Sequence, residues 1–460
     1  MISAAGLDAV HEGALHLLSE VGCAVLEPEA LALFAAHGAA VDGARVRISE
    51  ELVAAALATA PAGYTVAGRR PAGGLPVGAG ADSVLATASG PAFVLDHGER
   101  RHGTLADVRD AVALTHLSAN LDVYALAIEA LDVPDERRPQ TIAYTTVTGT
   151  DKPSRVDVTT ALELQVALDV AEILYGAGWH DRPRLWTVIN TTSPLKLSLE
   201  AGRSLLRLAR LGQPVCLTVC AMGGTTAPLT LAGLLAVQHA ELLMGLVLTQ
   251  LAQPGCPFLY GGTSSVSSMR SGALLMGVPE YWAVVEATVA LGHRLGLPVR
   301  TGGALTDAHV ADAQAGAESA LGLEAALRAG ADFVLHAAGI LSSFNCFSTA
   351  KLVLDDELLG ALRRARRPIV VDSDTLALDV VAAVGPGGSL LGQAHTRRHA
   401  RAAAPDGLMN HDPYETWVAH GSRDLATRAD ARVAELLAAY TPPDDLDELT
   451  VRQLREYCLA

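Results

Sequence analysis

Short apolar runs alternate with longer segments of helical periodicity through most of the chain. The apolar runs that we interpret as strands lie at residues 123–128, 142–147, 185–189, 215–219, 258–260, 298–300 and 333–335, with an eighth near 369–371. Regular alternation of strand and helix is typical of a parallel sheet covered by helices. The pattern therefore predicts an α/β fold in which eight strands close into a barrel.

Capping residues mark where several of the predicted helices begin and end. Thr104 with Asp107, and Thr160 with Glu163, match the capping box, in which a hydroxyl and a carboxylate three residues later bond to backbone N–H groups. Glycines suited to helix C-termini follow the predicted helices at 160–176, 194–211 and 279–295. These signals give the helices between the strands defined ends.

Three regions follow from changes in this pattern. Residues 1–75 contain short amphipathic helices and one short strand, and we interpret them as an N-terminal helical cap. A passage rich in Gly and Pro at 68–83 marks its boundary. Residues 76–400 carry the strand and helix repeats of the barrel, which we expect to be the catalytic domain. Residues 401–460 are more polar and form a C-terminal helical extension.

Charge and composition exclude some classes of partner. The 460 residues include 50 Asp and Glu against 34 Lys and Arg, which gives a formal net charge of -16. Nucleic acids need a basic face, so we exclude them as partners. The six cysteines are scattered without a CxxC pair, which gives no support for a zinc site or a disulfide framework. Reduced thiols fit a cytoplasmic protein.

One stretch, residues 228–252, is long and apolar enough to suggest a membrane span. It carries Gln238, His239 and Glu241 near its middle, and such groups are costly in lipid. We therefore interpret it as one or two buried helices of the barrel, with no membrane partner. The N-terminus lacks the basic region and apolar core of a signal peptide, which also favours a cytoplasmic location.

Polar side chains follow the predicted strands, where a barrel enzyme carries its site. The candidates are Asn190, Ser264, Gln314, His336 and Asn345. Uncharged amides and hydroxyls predominate among them, and such groups orient a ligand without supplying a strong acid or base. A single histidine at a strand end is as often structural as catalytic, so His336 alone does not decide the function.

His395 and His399 lie four residues apart, a spacing at which two helical side chains can share a metal ion. A matching carboxylate is missing from the sequence around them. We therefore favour a structural role for this pair and predict no metal site.

Strings typical of one family recur in order along nearly the whole chain. They begin with HEGALHLLSEVGCAVLEPEALALFAAHGAAVDGARVRIS and continue through TSPL, TAPLTLAG, GVPE, DAQAGAES, KLVLDDEL and VGPGGSLLGQAHT to RADARVAELLAAYTPP. On these strings the chain resembles the corrinoid-dependent trimethylamine methyltransferase family. The resemblance implies a TIM-type (β/α)8 barrel that binds a methylated amine at its C-terminal face. It also implies a separate corrinoid protein whose cob(I)alamin accepts the methyl group, no tightly bound cofactor in this chain, and a homo-oligomer.

The loop after residue 335 departs from the family pattern. Ser342 and Ala350 stand where acids are expected and Phe344 where glycine is expected, and Ala308 with His309 replaces Ser-Lys in a TDSK string. The chain has no pyrrolysine, which places it among relatives similar to glycine betaine methyltransferases. A quaternary ammonium group leaves as a neutral tertiary amine, whereas neutral trimethylamine would leave as an amide anion. We therefore predict a betaine as the methyl donor.

The site residues follow from the strand ends and the resemblance together. We predict His336 and Asn345 as catalytic, and six further residues as substrate-binding: Asn190, Tyr260, Ser264, Arg270, Gln314 and Phe344. Phe344, Tyr260 or Phe347 would contact the trimethylammonium group by a cation-π interaction, although at least one of them is equally explained as a core aromatic. Arg270 or Arg300 would receive the betaine carboxylate.

Three other functions remain open on the sequence. A different barrel enzyme, such as a lyase or decarboxylase, would use the region of His336. A non-catalytic relative that binds methylated amines would explain the altered loop. Trimethylamine or another methylated amine would be the donor if the loop supports harder chemistry.

Overall fold

Strand and helix alternate through the middle of the chain, and helices follow to its end. The computed structural model describes residues 2–69, 74–96, 98–403 and 407–460. Its strands are β1 (Cys23–Val25), β2 (Ala40–Asp42), β3 (Arg45–Arg47), β4 (Gly63–Val66), β5 (Leu75–Gly78), β6 (Val84–Thr87), β7 (Phe93–Asp96), β8 (Glu99–His102), β9 (Ile189–Asn190), β10 (Lys196–Leu197), β11 (Val215–Thr218), β12 (Met222–Gly223), β13 (Phe258–Gly261), β14 (Ser265–Val266), β15 (Val299–Gly302), β16 (Phe333–Ala338), β17 (Ile340–Leu341) and β18 (Cys346–Phe347).

The helices lie between and after these strands. They are α1 (Ala4–His16), α2 (Pro28–Ala36), α3 (Glu50–Thr59), α4 (Leu105–Leu117), α5 (Arg138–Gly149), α6 (Ala161–Tyr175), α7 (Leu199–Arg210), α8 (Leu231–Ala252), α9 (Pro279–Arg294), α10 (Ala313–Ala329), α11 (Thr349–Ala365), α12 (Ser373–Leu376), α13 (Leu378–Val384), α14 (Ala394–Ala403), α15 (Tyr414–Ala419), α16 (Leu425–Ala439) and α17 (Glu448–Leu459). Both predicted capping boxes are present, at the starts of α4 and α6.

A parallel sheet lies at the centre of the fold, with the strand order β6, β16, β15, β13, β11, β9. Each of these neighbours pairs in parallel. Isolated parallel bridges continue from its edge strand and join Ala86 to Val123, Tyr124 to Ser154, and Arg155 to Trp186. The predicted α/β class, with helices on a parallel sheet, is confirmed.

Two of the predicted strands are wrong, and a third, at 123–128, is reduced to isolated bridges at Val123 and Tyr124. Residues 142–147 lie inside α5, because Ile142 and Thr146 are four residues apart and are both buried on one helical face, which overrides the local strand preference of β-branched residues. Residues 369–371 form no strand, and Ile369 is 89% exposed. The sheet instead uses β6, and the bridges run through 123–124 and 154–155.

Alternate residues of the central strands face two separate apolar clusters. One face carries Cys216, Leu259 and Phe333, which pack with Trp186 and other small or aromatic residues. The other face carries Leu217, Tyr260 and Val334 and packs against the helices. We call the first face the inner face and the second the outer face. Because both faces are buried, most positions of these strands are apolar in sequence rather than alternating with polar residues.

The N-terminal region combines helices with short strands and packs on the central unit. Its strand β1 pairs in parallel with β10 and antiparallel with β3, while α1 and α3 contact α8. The hairpin of β4 and β5 brings Tyr64, Leu75 and Val77 against the inner-face cluster. The predicted boundary lies at 68–83. Residues 70–73 of this passage lie outside the described residues, and residues 75–78 form β5.

Helix α8 is the segment that is long and apolar enough to suggest a membrane span. The protein buries 78% of its most apolar window. Its polar side chains are paired within the protein: Gln238 donates to Thr288 at 2.8 Å, His239 contacts the Tyr260 hydroxyl at 2.9 Å, and Glu241 accepts from the backbone N–H of Leu195 at 2.8 Å. The helix therefore belongs to the core, as predicted.

The end of the chain has two unlike parts. Helices α16 and α17 flank the TPPDD segment, as predicted, and pack on α11 and α5 respectively. The preceding segment, residues 366–403, carries the short helices α12 and α13 and the helix α14. Neither α12 nor α13 contains a buried side chain, so this segment contributes little to the core.

Candidate functional site

Three buried polar side chains come from β15, from β16 and from the bridged segment at 154–155. Arg155, Arg300 and His336 are only 7%, 1% and 4% exposed. Arg300 follows Val299 of the outer cluster, so strand alternation places it on the inner face. It is paired in register with Phe333 of β16, three residues before His336. Arg300 therefore lies deeper in the protein than His336.

Arg300 is a buried cation without an acidic partner among the described residues. Its Nε and Nη1 atoms are inaccessible to solvent and make no hydrogen bond. Burial lowers its pKa, and the nearby charge of Arg155 acts in the same direction. A guanidinium nevertheless stays protonated in proteins. An unpaired buried charge costs several kcal/mol, so this position favours the binding of an anion.

Arg155, in contrast, is neutralised by its own surroundings. Its Nη1 donates to the Ser89 hydroxyl at 2.9 Å, and its Nη2 makes an ion pair with Asp157. Burial raises the pKa of Asp157, while Arg155 opposes that rise. The pair therefore fixes the Arg155 side chain beside Arg300 and leaves Arg300 as the uncompensated charge.

His336 is held as a neutral hydrogen-bond donor. Its Nδ1 accepts a hydrogen bond from the backbone N–H of Ser89 at 3.2 Å, so the ring proton is on Nε2. Burial lowers the pKa of His336 well below its usual value, and the charges of Arg300 and Arg155 add to this effect. Its φ of 56° lies in the left-handed region, which is rare for a non-glycine residue and is often found at functional sites.

Phe344 lies beside His336 at the tip of a hairpin formed by β17 and β18. The two rings are edge to face, with centroids 5.2 Å apart. Strand β18 also pairs with β7, so a second small sheet carries this hairpin over the strand ends. Of the sequence-predicted residues, His336 and Phe344 are thus brought together.

Asn190 and Cys220 are exposed at the same end of the sheet, and we infer from them that the strand ends surround a recess. Asn190 ends β9 and is paired in register with Thr218, and strand alternation from Val188 and Cys216 places both on the inner face. Cys220 is exposed, yet burial raises the pKa of its thiol and Arg300 opposes the rise. Both observations fit a thiol that lines a solvent-filled recess surrounded by protein.

Tyr260 and Ser264 lie elsewhere than the sequence predicted. Tyr260 is on the outer face, where its hydroxyl contacts His239 at 2.9 Å. It therefore belongs to the packing of α8 and has no access to the recess. The Ser264 hydroxyl accepts from the backbone N–H of Ala221 at 2.9 Å and is fully buried. This hydrogen bond joins the segment after β11 to the segment after β13.

The other three predicted residues lie on the surface around the recess. Arg270 is an exposed loop residue. Gln314 is exposed in the first turn of α10 and donates to Glu318 at 2.8 Å. Asn345 is exposed, and its amide donates to the backbone carbonyl of Ser342 at 2.9 Å. This contact shapes the turn that carries Phe344.

Hydrogen bonds tie the loops around the recess to one another. Asp307 accepts from the backbone N–H groups of Met276 and Gly277 at 2.9 and 3.0 Å, and from the Ser343 hydroxyl at 2.7 Å. His309 contacts the Ser342 hydroxyl at 2.8 Å. His309 and Ser342 are both departures from the family pattern, and the structure pairs them with each other.

A separate cavity of about 130 Å³ lies between α5, α6 and residues 154–157. Glu129, Asp157 and Glu163 are among the residues that line it. Burial raises the pKa of Glu129 to about 7, and the charge of Asp157 adds to the rise. The cavity shares Arg155 with the recess but contains neither Arg300 nor His336, so we do not assign it to the same ligand.

Arg155 and Ser89 are not among the residues predicted from the sequence. The pattern predicts a strand at 142–147 rather than at 154–155. A better signal was available in DKPSR, where Pro153 disfavours a helix and is followed by a charged residue at a strand end.

Comparison with known proteins identifies the family. The profile described as trimethylamine methyltransferase (MTTB) matches residues 1–459. A glycine betaine methyltransferase of Desulfitobacterium hafniense (strain Y51) is 36% identical over 439 residues, which cover 94% of this chain and 91% of that protein. A proline betaine:corrinoid methyltransferase of Eubacterium limosum is 34% identical over 464 residues and covers 96% and 94% of the two chains.

A third relative carries the name of the family. The trimethylamine methyltransferase MttB of Methanosarcina thermophila is 29% identical over 461 residues, which cover 96% of this chain and 94% of that protein. The match to the family profile extends over nearly the whole chain, in agreement with the resemblance found in the sequence. The chain is a methyltransferase and belongs to the trimethylamine methyltransferase (MTTB) family.

Proposed function

We propose that this enzyme takes its methyl group from a betaine, a quaternary ammonium compound with a carboxylate, and transfers it to the Co(I) of a separate corrinoid protein. The observation that carries the proposal is Arg300, a buried guanidinium on the inner face whose Nε and Nη1 have no hydrogen-bond partner. A betaine supplies the anion that this residue lacks. Trimethylamine has no carboxylate and would leave the charge unpaired.

The carboxylate would bind at the deep end of the recess. Arg300 offers its unpaired guanidinium there, and His336, one layer closer to the mouth, carries an Nε2 proton. A charge-assisted bond from a guanidinium to a carboxylate is among the stronger hydrogen bonds in proteins. Arg155 is already paired with Asp157, so it would add positive potential rather than a direct contact.

The trimethylammonium group would then lie toward the mouth, near Phe344. An aromatic face beside a quaternary ammonium contributes about 0.5–2 kcal/mol by cation-π attraction. This direction suits the reaction, because the methyl acceptor belongs to another protein and approaches from outside. With its carboxylate held deep in the protein, the betaine presents its methyl groups at the open end.

The chemistry requires little of the protein beyond position and the exclusion of water. The C–N bond breaks and its electron pair stays on nitrogen, which leaves as a neutral tertiary amine. The methyl group takes its new bond from the electron pair of Co(I). No proton moves, so the site needs no general acid. A neutral His336 and an aromatic neighbour fit this requirement, and alignment of the reacting atoms supplies the rate enhancement.

We further propose that the central sheet closes into the predicted eight-stranded barrel. The parallel bridges between 86 and 123, 124 and 154, and 155 and 186 would supply the missing contacts. The rings of Trp186 and Phe333 support this, because they stack with centroids 4.4 Å apart. Phe333 belongs to β16, next to one end of the sheet order, whereas Trp186 shortly precedes β9 at the other end. The corrinoid protein would then dock over the C-terminal ends of the strands.

The division into residues 1–75, 76–400 and 401–460, a cytoplasmic location and a homo-oligomer belong to the same proposal. They follow from the composition and the family resemblance.

Isothermal titration of the full chain with glycine betaine tests the proposed binding mode. Choline, which has the trimethylammonium group but a hydroxyl instead of the carboxylate, is the matched ligand. Arg300→Met is the test variant, and Arg270→Met, which removes the exposed alternative, is the control. We expect Arg300→Met to weaken glycine betaine binding by about 10-fold or more and to leave choline binding unchanged. Equal glycine betaine affinity in the Arg300→Met variant and the parent would overturn the proposal, as would a loss confined to Arg270→Met.

A further inference from the structure

The segment from 366 to 403 is held together mainly by polar contacts. Apolar side chains such as Ile369, Val370 and Leu391 are 89%, 63% and 82% exposed, and α12 and α13 have no buried residue. Short segments without an apolar core usually need a disulfide or a metal ion to keep one structure. Polar contacts or a bound ion must therefore order this segment.

Several of its polar contacts converge on one residue, Asp374 of α12. Arg398 donates to Oδ1 at 2.8 Å, His399 Nε2 lies 3.0 Å from Oδ2, and His395 Nε2 lies 2.8 Å from the backbone carbonyl oxygen. The two imidazole rings are 4.4 Å apart. Asp374 thus supplies the carboxylate that the sequence around His395 and His399 lacks.

The spacing of these groups matches a shared metal ion. One ligand atom from each of Asp374, His395 and His399 can be chosen so that all lie within 4.8 Å of one another. Zn²⁺ binds imidazole nitrogen and carboxylate oxygen at about 2.0–2.2 Å, so two of its ligands are typically somewhat over 3 Å apart. The four-residue spacing in α14 puts both imidazoles on one side of the helix.

The neighbouring cation, Arg398, leaves one oxygen of Asp374 free to bind a metal ion. Arg398 bonds to Oδ1 of Asp374, whereas His399 approaches Oδ2, so the carboxylate can hold an arginine with one oxygen and an ion with the other. Groups that hold a ligating carboxylate in this way orient it and are common around metal sites. In the metal-free state each Nε2 faces an oxygen acceptor and carries the proton. A metal ion would take the Nε2 lone pair, and the proton would move to Nδ1.

We propose that Asp374, His395 and His399 form a binding site for a divalent late transition metal, Zn²⁺ in the first place, that joins α12 to α14. Two imidazoles and one carboxylate favour Zn²⁺, Co²⁺ or Ni²⁺ over the oxygen-binding Mg²⁺ and Ca²⁺. All three residues are partly or fully exposed, so the ion can enter from solvent and a water molecule can complete its coordination. The role of the ion is structural, and the site lies apart from Arg300 and His336 in sequence and element.

The test is titration of the full, metal-stripped chain with Zn²⁺, with Mg²⁺ as the comparison ion. We expect one Zn²⁺ per chain at this site and no comparable binding of Mg²⁺. The His395→Ala and His399→Ala variants should each lose this one equivalent. His411→Ala removes an exposed histidine outside the cluster and should keep it. Zn²⁺ binding at exposed thiols such as Cys220 would be the same in the parent and in the three variants. The difference in bound Zn²⁺ between the proteins therefore measures this site alone.

Limited proteolysis with trypsin gives a second measurement that does not depend on affinity. Arg397 and Arg398 lie within α14, and cleavage there requires the helix to open locally. We expect Zn²⁺ to slow cleavage at these residues several-fold in the parent and in His411→Ala, and to have no effect in His399→Ala. The proposal is overturned if the parent binds no more Zn²⁺ than the His395→Ala and His399→Ala variants, or if protection by Zn²⁺ persists in them.

Discussion

His336 Nδ1 accepts a hydrogen bond from the backbone N–H of Ser89 at 3.2 Å. This contact joins Ser89, two residues after the end of β6, to the strand β16. It uses the only lone pair that a neutral imidazole has for accepting a hydrogen bond. The Nε2 atom of His336 is therefore a donor. The protein thus converts a titratable residue into a fixed hydrogen-bond donor beside the unpaired charge of Arg300.

The first prediction concerns the protonation of His336. Burial and the two nearby arginines hold its pKa well below the usual value, so its neutral fraction stays constant between about pH 6 and pH 8. We expect kcat/KM for glycine betaine to show no fall near pH 6.5 that is due to His336. The His336→Asn variant, which tolerates the positive φ, should lose about 10–100-fold in kcat/KM, as expected for a hydrogen bond to a charged group, without changing the shape of the pH profile. A fall near pH 6.5 that disappears in His336→Asn would show that the residue titrates during catalysis.

The second prediction separates stability from activity at Arg300. This side chain is 1% exposed and its charge is unpaired, so it destabilises the ligand-free fold. The Arg300→Met variant should melt at a higher temperature than the parent, by several degrees, while its kcat/KM for betaines falls. Differential scanning calorimetry with and without glycine betaine measures the change in stability and the loss of binding, because the ligand should raise the melting temperature of the parent more than that of the variant. A lower melting temperature in Arg300→Met would mean that the guanidinium has a structural partner.

The third prediction concerns Phe344, whose ring is 5.2 Å from that of His336. If it contacts the trimethylammonium group, the parent should bind glycine betaine more tightly than 3,3-dimethylbutyrate, which has the same shape and carboxylate but no positive charge. The Phe344→Leu variant should lose this preference, worth about 2–30-fold in affinity, and Phe344→Tyr should keep it. Binding constants from titration of the three proteins decide the matter. An unchanged preference in Phe344→Leu would place the cation elsewhere.

The fourth prediction concerns stability in acid. Burial lowers the pKa of His239 to about 3, and the neighbouring His11 adds to the shift. The unfolded chain therefore binds a proton between pH 6.5 and about 3 that the folded chain does not. The free energy of unfolding should fall by up to about 1.4 kcal/mol per pH unit through this range as pH decreases.

Melting temperatures of the parent and the His239→Gln variant at pH 7 and pH 5 check this dependence. Glutamine cannot take up the proton, so the decrease between the two pH values should be smaller in His239→Gln than in the parent. His37→Gln changes an exposed histidine and should behave like the parent. The same decrease in all three proteins would assign the acid sensitivity to other groups, of which His336 is the next to examine.

Much of the fold could be predicted because its signals are local. The capping boxes at Thr104 and Thr160 depend on residues three apart, and the structure confirms both. The strands β11, β13 and β16 are recognisable in the sequence because a strand buried on both faces is mostly apolar. The strand predicted at 142–147 is wrong because the burial of these residues on one helical face depends on neighbours that are distant in sequence.

The site was only partly predictable for a related reason. His336 and Phe344 are eight residues apart, and a single loop brings them together. Arg155 and Arg300 are 145 residues apart in the chain. No pattern along the chain shows that Arg155 is paired and Arg300 is not. The sequence predicts that Tyr260 binds substrate because it is an aromatic residue at a strand end. Successive residues of a strand face opposite sides of the sheet, however, and Tyr260 faces the outer side.

The most direct test of the proposed function is methylation of cob(I)alamin by the parent enzyme, followed by the change in corrinoid absorbance. Glycine betaine, proline betaine, choline and trimethylamine are compared at equal concentration, each with the parent and with Arg300→Met. We predict that a betaine is the best donor, that choline and trimethylamine are poor donors, and that Arg300→Met loses the advantage of the betaine over choline. Turnover with trimethylamine alone, or a betaine rate that is unchanged in Arg300→Met, would contradict the assignment of the substrate carboxylate to Arg300.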